Sequence, residues 1–281
     1  MRIKLPPALW KALYPACSGT RQSPIEIGLV SVVLDLTLES LDLSAYEAHP
    51  VGNNWTLVDN GHSVQFSAQF NAPPQIQNGS LGTKYVLTQF HFHWGATDDR
   101  GSEHVINGTR YPLELHLVHR KFNETDAQST ADSTGLAVVA VLFEIATGTE
   151  TANPHLEPLI SAVSQATIPN APVTVTLPDM KLADILPQSP SYYRYLDSLT
   201  TPPCAEAVVW TVMKRRVKIT ETQMQIFRSL RVPPEPTPAS DRSLHVEAGP
   251  PEVLVDNFRP TQFSVGRVVR YHPEVYLVFV D

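Results

Sequence analysis

The stretch QFHFHW, residues Gln89–Trp94, contains the pattern from which the fold and the function can be inferred. Alternate residues of an extended strand point to opposite faces, so His91 and His93 share one face with Gln89. The other face can be buried in a core, since it carries Phe90, Phe92 and Trp94. Two imidazoles placed in this way supply half of a tetrahedral zinc site. A strand with two hydrogen-bonded or solvated histidines would show the same spacing.

A second segment, ELHLVH at Glu114–His119, repeats the two-residue period. Its first histidine, His116, shares a face with Glu114 and Val118. If this strand pairs with the first, His116 meets His91 and His93 over one point. Three neutral imidazoles leave the fourth zinc position open, which is the catalytic arrangement rather than the structural one. His119 falls on the opposite face and is predicted to be a structural histidine.

Two polar residues are spaced as partners of these imidazoles. A liganding imidazole normally donates its other N–H to an acceptor, which fixes its tautomer and orientation. Gln89 lies two residues before His91, and Glu114 lies two before His116, each on the same face as its histidine. The spacing fits this orienting role, although two ordinary polar strand residues would share it.

Length and composition are compatible with one large domain that has a substantial core, or with two small ones. The 281 residues are 42% hydrophobic, without a composition break or repeat that would mark a linker. A net charge of −7 argues against nucleic-acid binding. The sequence contains no apolar run long enough to span a bilayer. The segment Met1–Tyr14 lacks the apolar stretch of a signal peptide.

The residue patterns predict a mainly β domain with peripheral helices. The 25 prolines favour many turns over long helices. Strand-like runs rich in Val, Leu and aromatics are predicted at Val32–Leu43, Ser63–Phe70, Tyr85–Trp94, Tyr111–Phe122, Leu136–Ile145, Val173–Leu177, Ala207–Ile219 and Val275–Val280. Helical periodicity appears at Pro154–Ala166 and at Glu221–Leu230, where Thr220 is a plausible N-cap. The Pro-rich Val232–Pro238 stretch is expected to form a surface loop.

The compartment is suggested by glycosylation sequons more than by cysteines. Two isolated cysteines, Cys17 and Cys204, are compatible with free thiols or with a disulfide. Acceptor sequons for N-glycosylation begin at Asn54, Asn78, Asn107 and Asn123. Their number favours a secreted or extracellular protein whose signal peptide is not present in this sequence.

Taken in order along the chain, the motifs resemble an α-class carbonic anhydrase, especially the extracellular members. The matches are Gln22–Ile25, Asn60–Val64, Gln89–Gly95, Gly101–His104, Glu114–His119, Gly135–Val138, Ser198–Cys204 and Asn257–Pro260. The resemblance implies a single catalytic domain over residues 1–281. It also implies a large, mostly antiparallel, twisted central sheet with zinc at the base of a conical cleft.

The resemblance also implies roles for individual residues. The zinc ligands would be His91, His93 and His116, in agreement with the spacing argument. The residues that orient them would be Gln89, Glu114 and the backbone carbonyl of Asn257. Thr200 would accept a hydrogen bond from zinc-bound hydroxide and donate one to Glu103. His62 would be the proton shuttle, since an imidazole exchanges protons in both directions near neutral pH. On sequence alone, His62 is an exposed turn histidine.

Further positions of the cleft follow from the same resemblance. Asn60, Gln65 and Thr201 would hold the water chain between zinc and His62. Carbon dioxide would sit in an apolar pocket formed by Val118, Val138, Leu199, Val208 and Trp210, with Thr201 beside it. Cys17 and Cys204 fall where extracellular members form a disulfide, which would tether the N-terminal segment to the loop of Thr200.

The sequence departs from the family pattern at three places. The Trp-x-Tyr segment that usually precedes Trp10, with its cleft tyrosine, is not contained in this sequence. Phe258 replaces a common tryptophan, and Gln65 stands where some members have asparagine. These departures concern the water network and leave the predicted metal ligands unchanged.

The leading hypothesis is zinc-dependent, reversible hydration of carbon dioxide to bicarbonate and a proton. Anions and sulfonamide-type inhibitors would bind at the zinc, and a role in pH regulation would follow. The alternative is a non-catalytic, carbonic-anhydrase-like binding or matrix protein, but such relatives have lost zinc ligands that this sequence retains. A different zinc hydrolase is disfavoured, because the His-Glu-x-x-His helix motif is absent and both ligand segments read as strands.

Overall fold

A large β-sheet forms the framework of the protein in a computed structural model, which describes residues 6–232, 252–264 and 266–274. Over these residues the strands are β1 Glu26–Ile27, β2 Val33–Leu34, β3 Leu41–Asp42, β4 Asn54–Asp59, β5 Val64–Ser67, β6 Gln75–Asn78, β7 Tyr85–Trp94, β8 Val105–Ile106, β9 Leu113–Lys121, β10 Leu136–Ile145, β11 Val173–Thr176, β12 Tyr192–Asp197, β13 Val208–Met213, β14 Val217–Ile219 and β15 Arg270–His272. The helices are α1 Pro7–Leu13, α2 Asp126–Ala131, α3 Leu156–Val163 and α4 Glu221–Arg228.

The sheet is mixed, with mostly antiparallel pairs. Its main path runs β11-β4-β5-β7-β9-β10-β13-β12-β15-β2, and β1 pairs separately with β8. Within it, β10 pairs in parallel with β13 and β14, and β15 pairs in parallel with β2. The expected mainly β fold is therefore confirmed, with these parallel pairs added. Strands β7 and β9 lie side by side near the middle of the path, away from the edges.

The two faces of β9 and β10 are buried in different apolar clusters, and β7 contributes to one of them. One cluster contains Phe90, Phe92 and Trp94 of β7 together with Leu115 and Leu117 of β9. The other cluster, on the opposite face, contains residues of β9, β10 and β13, among them Val118, Val138 and Trp210. Because β9 and β10 are covered on both faces and β7 is buried on one, packing restricts the backbone that carries the polar side chains of these strands.

Most of the predicted long elements are present, but their bounds differ. The β10 strand matches its prediction, and α4 begins after Thr220, which forms a capping box with Gln223. The predicted Ala207–Ile219 strand is divided into β13 and β14. The predicted Val275–Val280 strand and most of the predicted Val232–Pro238 loop lie outside the described residues.

The continuous strand predicted over Val32–Leu43 was wrong. Only the two-residue strands β2 and β3 form there. Asp35 interrupts the run, because its carboxylate accepts hydrogen bonds from the backbone N–H and the hydroxyl of Thr37. A side-chain turn of this kind competes with strand pairing, so alternation of apolar and polar residues alone did not produce a strand.

Candidate metal centre

The pairing of β7 with β9 brings the histidine segments together. His91 lies opposite His116, and His93 lies opposite Glu114. A register shift at Thr88 precedes them, because Leu87 is opposite His119 whereas Gln89 is opposite Val118. An extra residue in one strand of a pair changes which face the following residues occupy. After this bulge, the faces follow the alternation expected from the sequence.

Three imidazoles converge on one point at this pairing. The ring centroids of His91, His93 and His116 are 4.7–5.3 Å apart. Each ring offers a nitrogen to a group whose ligand atoms all lie within 4.8 Å of one another. His93 and His116 are buried, and His91 is partly exposed. This is the geometry of a three-histidine site that is open on one side.

Each ring has its other nitrogen engaged by an acceptor. His91 Nδ1 donates to Gln89 Oε1 at 2.9 Å, and His93 Nδ1 donates to the backbone carbonyl of Asn257 at 3.0 Å. His116 Nε2 donates to Glu114 Oε1 at 2.6 Å. Since these acceptors cannot donate, they fix the tautomer of each ring. The free atoms are then Nε2 of His91, Nε2 of His93 and Nδ1 of His116.

Electrostatics keep two of these rings neutral. Burial, together with His93 and His116, holds the pKa of His91 well below its ordinary value. Burial also lowers the pKa of His116, although Glu114 acts in the opposite direction. A neutral imidazole is the form that binds metal ions. His119, on the opposite face, has its pKa lowered to about 4 by burial, and it bonds the hydroxyl of Tyr46.

Two buried polar atoms at the point where the three rings converge lack hydrogen-bond partners among the described residues. They are His93 Nε2 and Glu103 Oε2, which lie 3.5 Å apart. Glu103 Oε2 is also 3.9 Å from His116 Nδ1, whereas its other oxygen accepts from the backbone N–H of Arg259 at 2.7 Å. Unpaired buried polar atoms are costly, so this donor set fits a zinc ion with three nitrogen ligands and a nearby carboxylate.

Thr200 lies on the segment between β12 and β13 and is 4% exposed. Within the described residues, no hydrogen bond joins its hydroxyl to Glu103. The two residues belong to segments that are distant in sequence, and their predicted partnership in catalysis stays a prediction.

A chain of buried hydrogen bonds extends from the three histidines into the interior of the protein. Glu114 Oε1 also accepts from His104 Nδ1 at 2.5 Å, and His104 Nε2 accepts from the hydroxyl of Tyr195 at 2.6 Å. That hydroxyl lies 3.2 Å from Ser23 Oγ. Burial raises the pKa of Glu114, but His104 and His116 hold it well below its ordinary value. Sequence reasoning assigned no role to His104 or Tyr195, because only the folded chain brings them to Glu114.

An apolar surface adjoins the histidine face. Of the six residues predicted for the substrate pocket, four are buried members of one cluster: Val118, Val138, Val208 and Trp210. Leu199 packs against this cluster, whereas Thr201 is exposed. The ring of Trp210 lies 4.9 Å from that of His116. The apolar residues are therefore contiguous with His116, one of the three converging imidazoles.

The predicted shuttle His62 and the water-chain residues Asn60 and Gln65 lie in the turn between β4 and β5 or on β5 itself. His62 is exposed, in a turn where Asn60 Oδ1 accepts from the backbone N–H groups of His62 and Ser63. Gln65 in β5 lies opposite His91 in β7. The sequence suggests the turn through its Asn60-Gly61 pair, but its distance from the metal site depends on the pairing of β5 with β7.

The Cys17–Cys204 disulfide is present, which confirms its prediction. The four sequon asparagines, Asn54, Asn78, Asn107 and Asn123, are all exposed. Among the described residues, the helices are too short or too polar to cross a membrane.

Comparison with known proteins gives concordant matches over most of the chain. The family model for eukaryotic-type carbonic anhydrases matches residues 5–273. The chain is 39% identical over 269 residues to carbonic anhydrase 7 of Mus musculus, covering 94% of this chain and 93% of that protein. The Homo sapiens carbonic anhydrase 7 gives the same identity and coverage. Carbonic anhydrase 15 of Mus musculus is 36% identical over 284 residues, covering 96% and 81%.

Proposed function

Because the chain belongs to the eukaryotic-type carbonic anhydrase family and is a carbonic anhydrase, we propose that it hydrates carbon dioxide reversibly at a zinc ion held by His91, His93 and His116. The observation that carries this proposal is the convergence of three imidazoles, each of which donates a hydrogen bond from its other ring nitrogen to an acceptor. The residues 1–281 would form one catalytic domain. The alternative, a non-catalytic binding or matrix protein, has no observation in its favour, since the ligand set is intact.

The bound metal would act as a Lewis acid that lowers the pKa of a coordinated water to about 7, the value characteristic of carbonic anhydrases as a class. The residues of this chain would supply the rest. Gln89, Glu114 and the carbonyl of Asn257 orient the three rings. Glu103, whose Oε2 faces the ligand nitrogens, would orient the hydroxyl of Thr200, and Thr200 would align the attacking oxygen.

The apolar surface beside His116 would hold carbon dioxide and exclude water from it. Its walls would be Val118, Val138, Leu199, Val208 and Trp210, of which all but Leu199 are buried. Carbon dioxide carries no net charge, so an apolar wall next to a polar metal face suits it better than it suits bicarbonate. Thr201, exposed at the edge of this surface, would meet the product. Anions and sulfonamides are expected to inhibit by competing at the metal.

His62 would carry the product proton from the site to buffer. Its exposed position in the turn between β4 and β5 supports this role, and Asn60, Gln65 and Thr201 would order the waters between it and the metal. Replacing His62 with Ala is expected to slow turnover mainly in dilute buffer, where no small base can substitute. Equal rates for the two proteins in dilute buffer would refute the shuttle.

The decisive experiment is stopped-flow hydration of carbon dioxide before and after removal of metal. We expect activity to disappear with a chelator and to return with one equivalent of zinc. The His91→Ala variant should neither retain zinc nor show activity, whereas the matched His155→Ala variant, which changes an exposed histidine remote from the site, should retain both. Full activity of metal-free protein, or inert zinc-loaded protein, would contradict the proposal.

The disulfide and the exposed sequons support a secreted or extracellular location. Disulfides persist in oxidising compartments, and all four sequon asparagines are accessible to the glycosylation machinery. Expression through a secretory pathway should give a protein whose mass falls after treatment with an N-glycosidase. A series of Asn→Gln variants at Asn54, Asn78, Asn107 and Asn123 would identify the sites in use. An unchanged mass in the wild-type protein would contradict glycosylation.

A further inference from the structure

Asn257 contacts both His93, a proposed metal ligand, and His62, the proposed proton shuttle. Its backbone carbonyl accepts from the metal-site ring of His93 at 3.0 Å, and its backbone N–H donates to the carbonyl of Trp94 at 3.3 Å. Its side-chain Oδ1 accepts from the N–H of Trp94 at 2.7 Å. Its Nδ2 donates to the carbonyls of His62 at 2.8 Å and Phe92 at 3.2 Å. Both side-chain donor positions are therefore used, and one of them reaches the proposed shuttle residue.

Hydrogen bonds within the turn that contains His62 hold part of its backbone. Asn60 Oδ1 holds the N–H groups of His62 and Ser63, and the backbone N–H of Asn60 donates to the carbonyl of Ser63 at 3.0 Å. Ser63 Oγ also links the turn to β7, because it donates to the carbonyl of Phe92 at 2.5 Å and accepts from the backbone N–H of Phe92 at 3.2 Å. The amide of Asn257 adds a link from the segment after β7 directly to the carbonyl of His62.

We propose that the side chain of Asn257 is a positioning residue for proton transfer, because it fixes the backbone of His62 relative to the ligand His93. The inference rests on the proposed function, since it requires His62 to carry the proton. A single residue thus holds a metal ligand through its backbone and the shuttle through its side chain. Displacement of a reacting group by as little as about 1 Å can cost about 100-fold in rate, so a loosened turn would slow proton transfer.

The test separates proton transfer from the chemistry at the metal. In Asn257→Ala the backbone carbonyl that holds His93 remains, whereas the amide that holds His62 is lost. We expect kcat in dilute buffer to fall about tenfold, a part of the ~10²–10⁴-fold that a positioned acid–base group contributes, and to fall by a larger factor than kcat/KM. Added imidazole buffer should restore kcat in this variant.

Two comparisons identify the cause of the fall. Asn153→Ala is the matched control, since the Asn153 amide also donates to a backbone carbonyl, that of Asp184 at 2.7 Å, far from the site. It should change neither kinetic constant. In a double-mutant cycle, adding Asn257→Ala to His62→Ala should produce no further fall of kcat in dilute buffer. Asn257→Asp, which keeps the acceptor for the Trp94 N–H but loses the donor to His62, should reproduce the effect if the alanine variant folds poorly.

A second readout does not depend on turnover. Amide hydrogen exchange in the Asn60–Ser63 turn should be faster in Asn257→Ala than in the wild-type protein and in Asn153→Ala. Equal losses of kcat and kcat/KM at every buffer concentration, or multiplicative effects of the His62 and Asn257 substitutions, would overturn the inference. If His62→Ala alone shows no dependence on buffer, it is the shuttle in the proposed function that fails, and the faster exchange in the turn would still show the structural link.

Discussion

Breaking the Cys17–Cys204 disulfide should destabilise the protein strongly while leaving the geometry near Thr200 largely in place. The bond joins residues 187 apart in sequence. In the chain-entropy model, closing a loop of this length stabilises the folded state by about 5 kcal/mol, and removal of native disulfides typically costs about 2–5 kcal/mol. We therefore expect the free energy of unfolding to fall by about 2–5 kcal/mol on reduction.

The effect on catalysis should be smaller, because hydrogen bonds link the same segments. Gln22 Nε2 donates to the carbonyl of Cys204 at 3.2 Å, and Arg259 Nη2 donates to the carbonyl of Cys17 at 3.2 Å. The backbone N–H of Arg21 donates to Glu206 Oε1 at 2.7 Å. These contacts survive reduction of the bond, so kcat/KM should fall less than about tenfold, equivalent to about 1.4 kcal/mol in the transition state.

The assay compares oxidised wild-type protein with the same protein reduced by a phosphine and with Cys17→Ala/Cys204→Ala. Urea unfolding gives the free energy and the slope m, which should increase without the cross-link because the unfolded chain exposes more surface. Stopped-flow hydration gives kcat/KM well below the melting temperature. A stability loss under about 1 kcal/mol would refute the loop-entropy reasoning. A loss of kcat/KM beyond tenfold would refute the claim that hydrogen bonds are sufficient to hold the loop.

Three further substitutions test other parts of the molecule. Burial raises the pKa of the Asp197 carboxyl to about 7 despite its ion pair with Arg267. The contribution of Asp197 to the free energy of unfolding should therefore be greatest at low pH and decrease as the pH rises from about 4 to 7. The decrease should be at most about 1.4 kcal/mol per pH unit. Asp197→Asn should flatten this slope in unfolding curves, and an unchanged slope would contradict it. Glu114→Gln should weaken zinc binding about 10–100-fold in a chelator competition, because Glu114 orients His116; an unchanged affinity would refute that role. Phe92→Ala should lower the free energy of unfolding by about 3–5 kcal/mol in urea, since Phe92 is 1% exposed in the main core; a loss below about 1 kcal/mol would contradict close packing there.

Local patterns predicted the elements that depend on neighbouring residues in sequence. The alternation in Gln89–Trp94 and Glu114–His119 gave the faces of β7 and β9 correctly, since a strand repeats every two residues. The N-cap of α4 at Thr220 was also predicted correctly, because a helix cap depends on residues that are close in sequence. The bulge at Thr88 had no signal in the sequence, although it changes the face that the following residues occupy. Register shifts depend on both strands of a pair, and a single strand's pattern does not contain that information.

The site residues that could be predicted from local patterns are also those whose partners are close in sequence. His91 and His93 could be recognised together because they are two residues apart, and His116 required only the assumption that two strands pair. Glu103, Thr200 and His62 came from resemblance to a family, since roles shared by residues distant in sequence depend on how separate segments pack. His104 and Tyr195 went unassigned, although the former is buried beside Glu114. A buried histidine that contacts a carboxylate and a tyrosine hydroxyl is recognised from its surroundings, which the sequence does not specify.

A buried chain of hydrogen bonds connects the sheet face that carries the three histidines to segments outside the centre of the sheet. Glu114 accepts from both His116 and His104, His104 accepts from Tyr195, and Tyr195 contacts Ser23 of the N-terminal segment. Each member has its polar groups satisfied by the next, and an unsatisfied group in such a buried chain is costly. Ser23 also donates through its backbone N–H to Ser198 Oγ at 2.9 Å, two residues before Thr200. The orientation of His116 and the placement of the Thr200 loop therefore depend on one connected network.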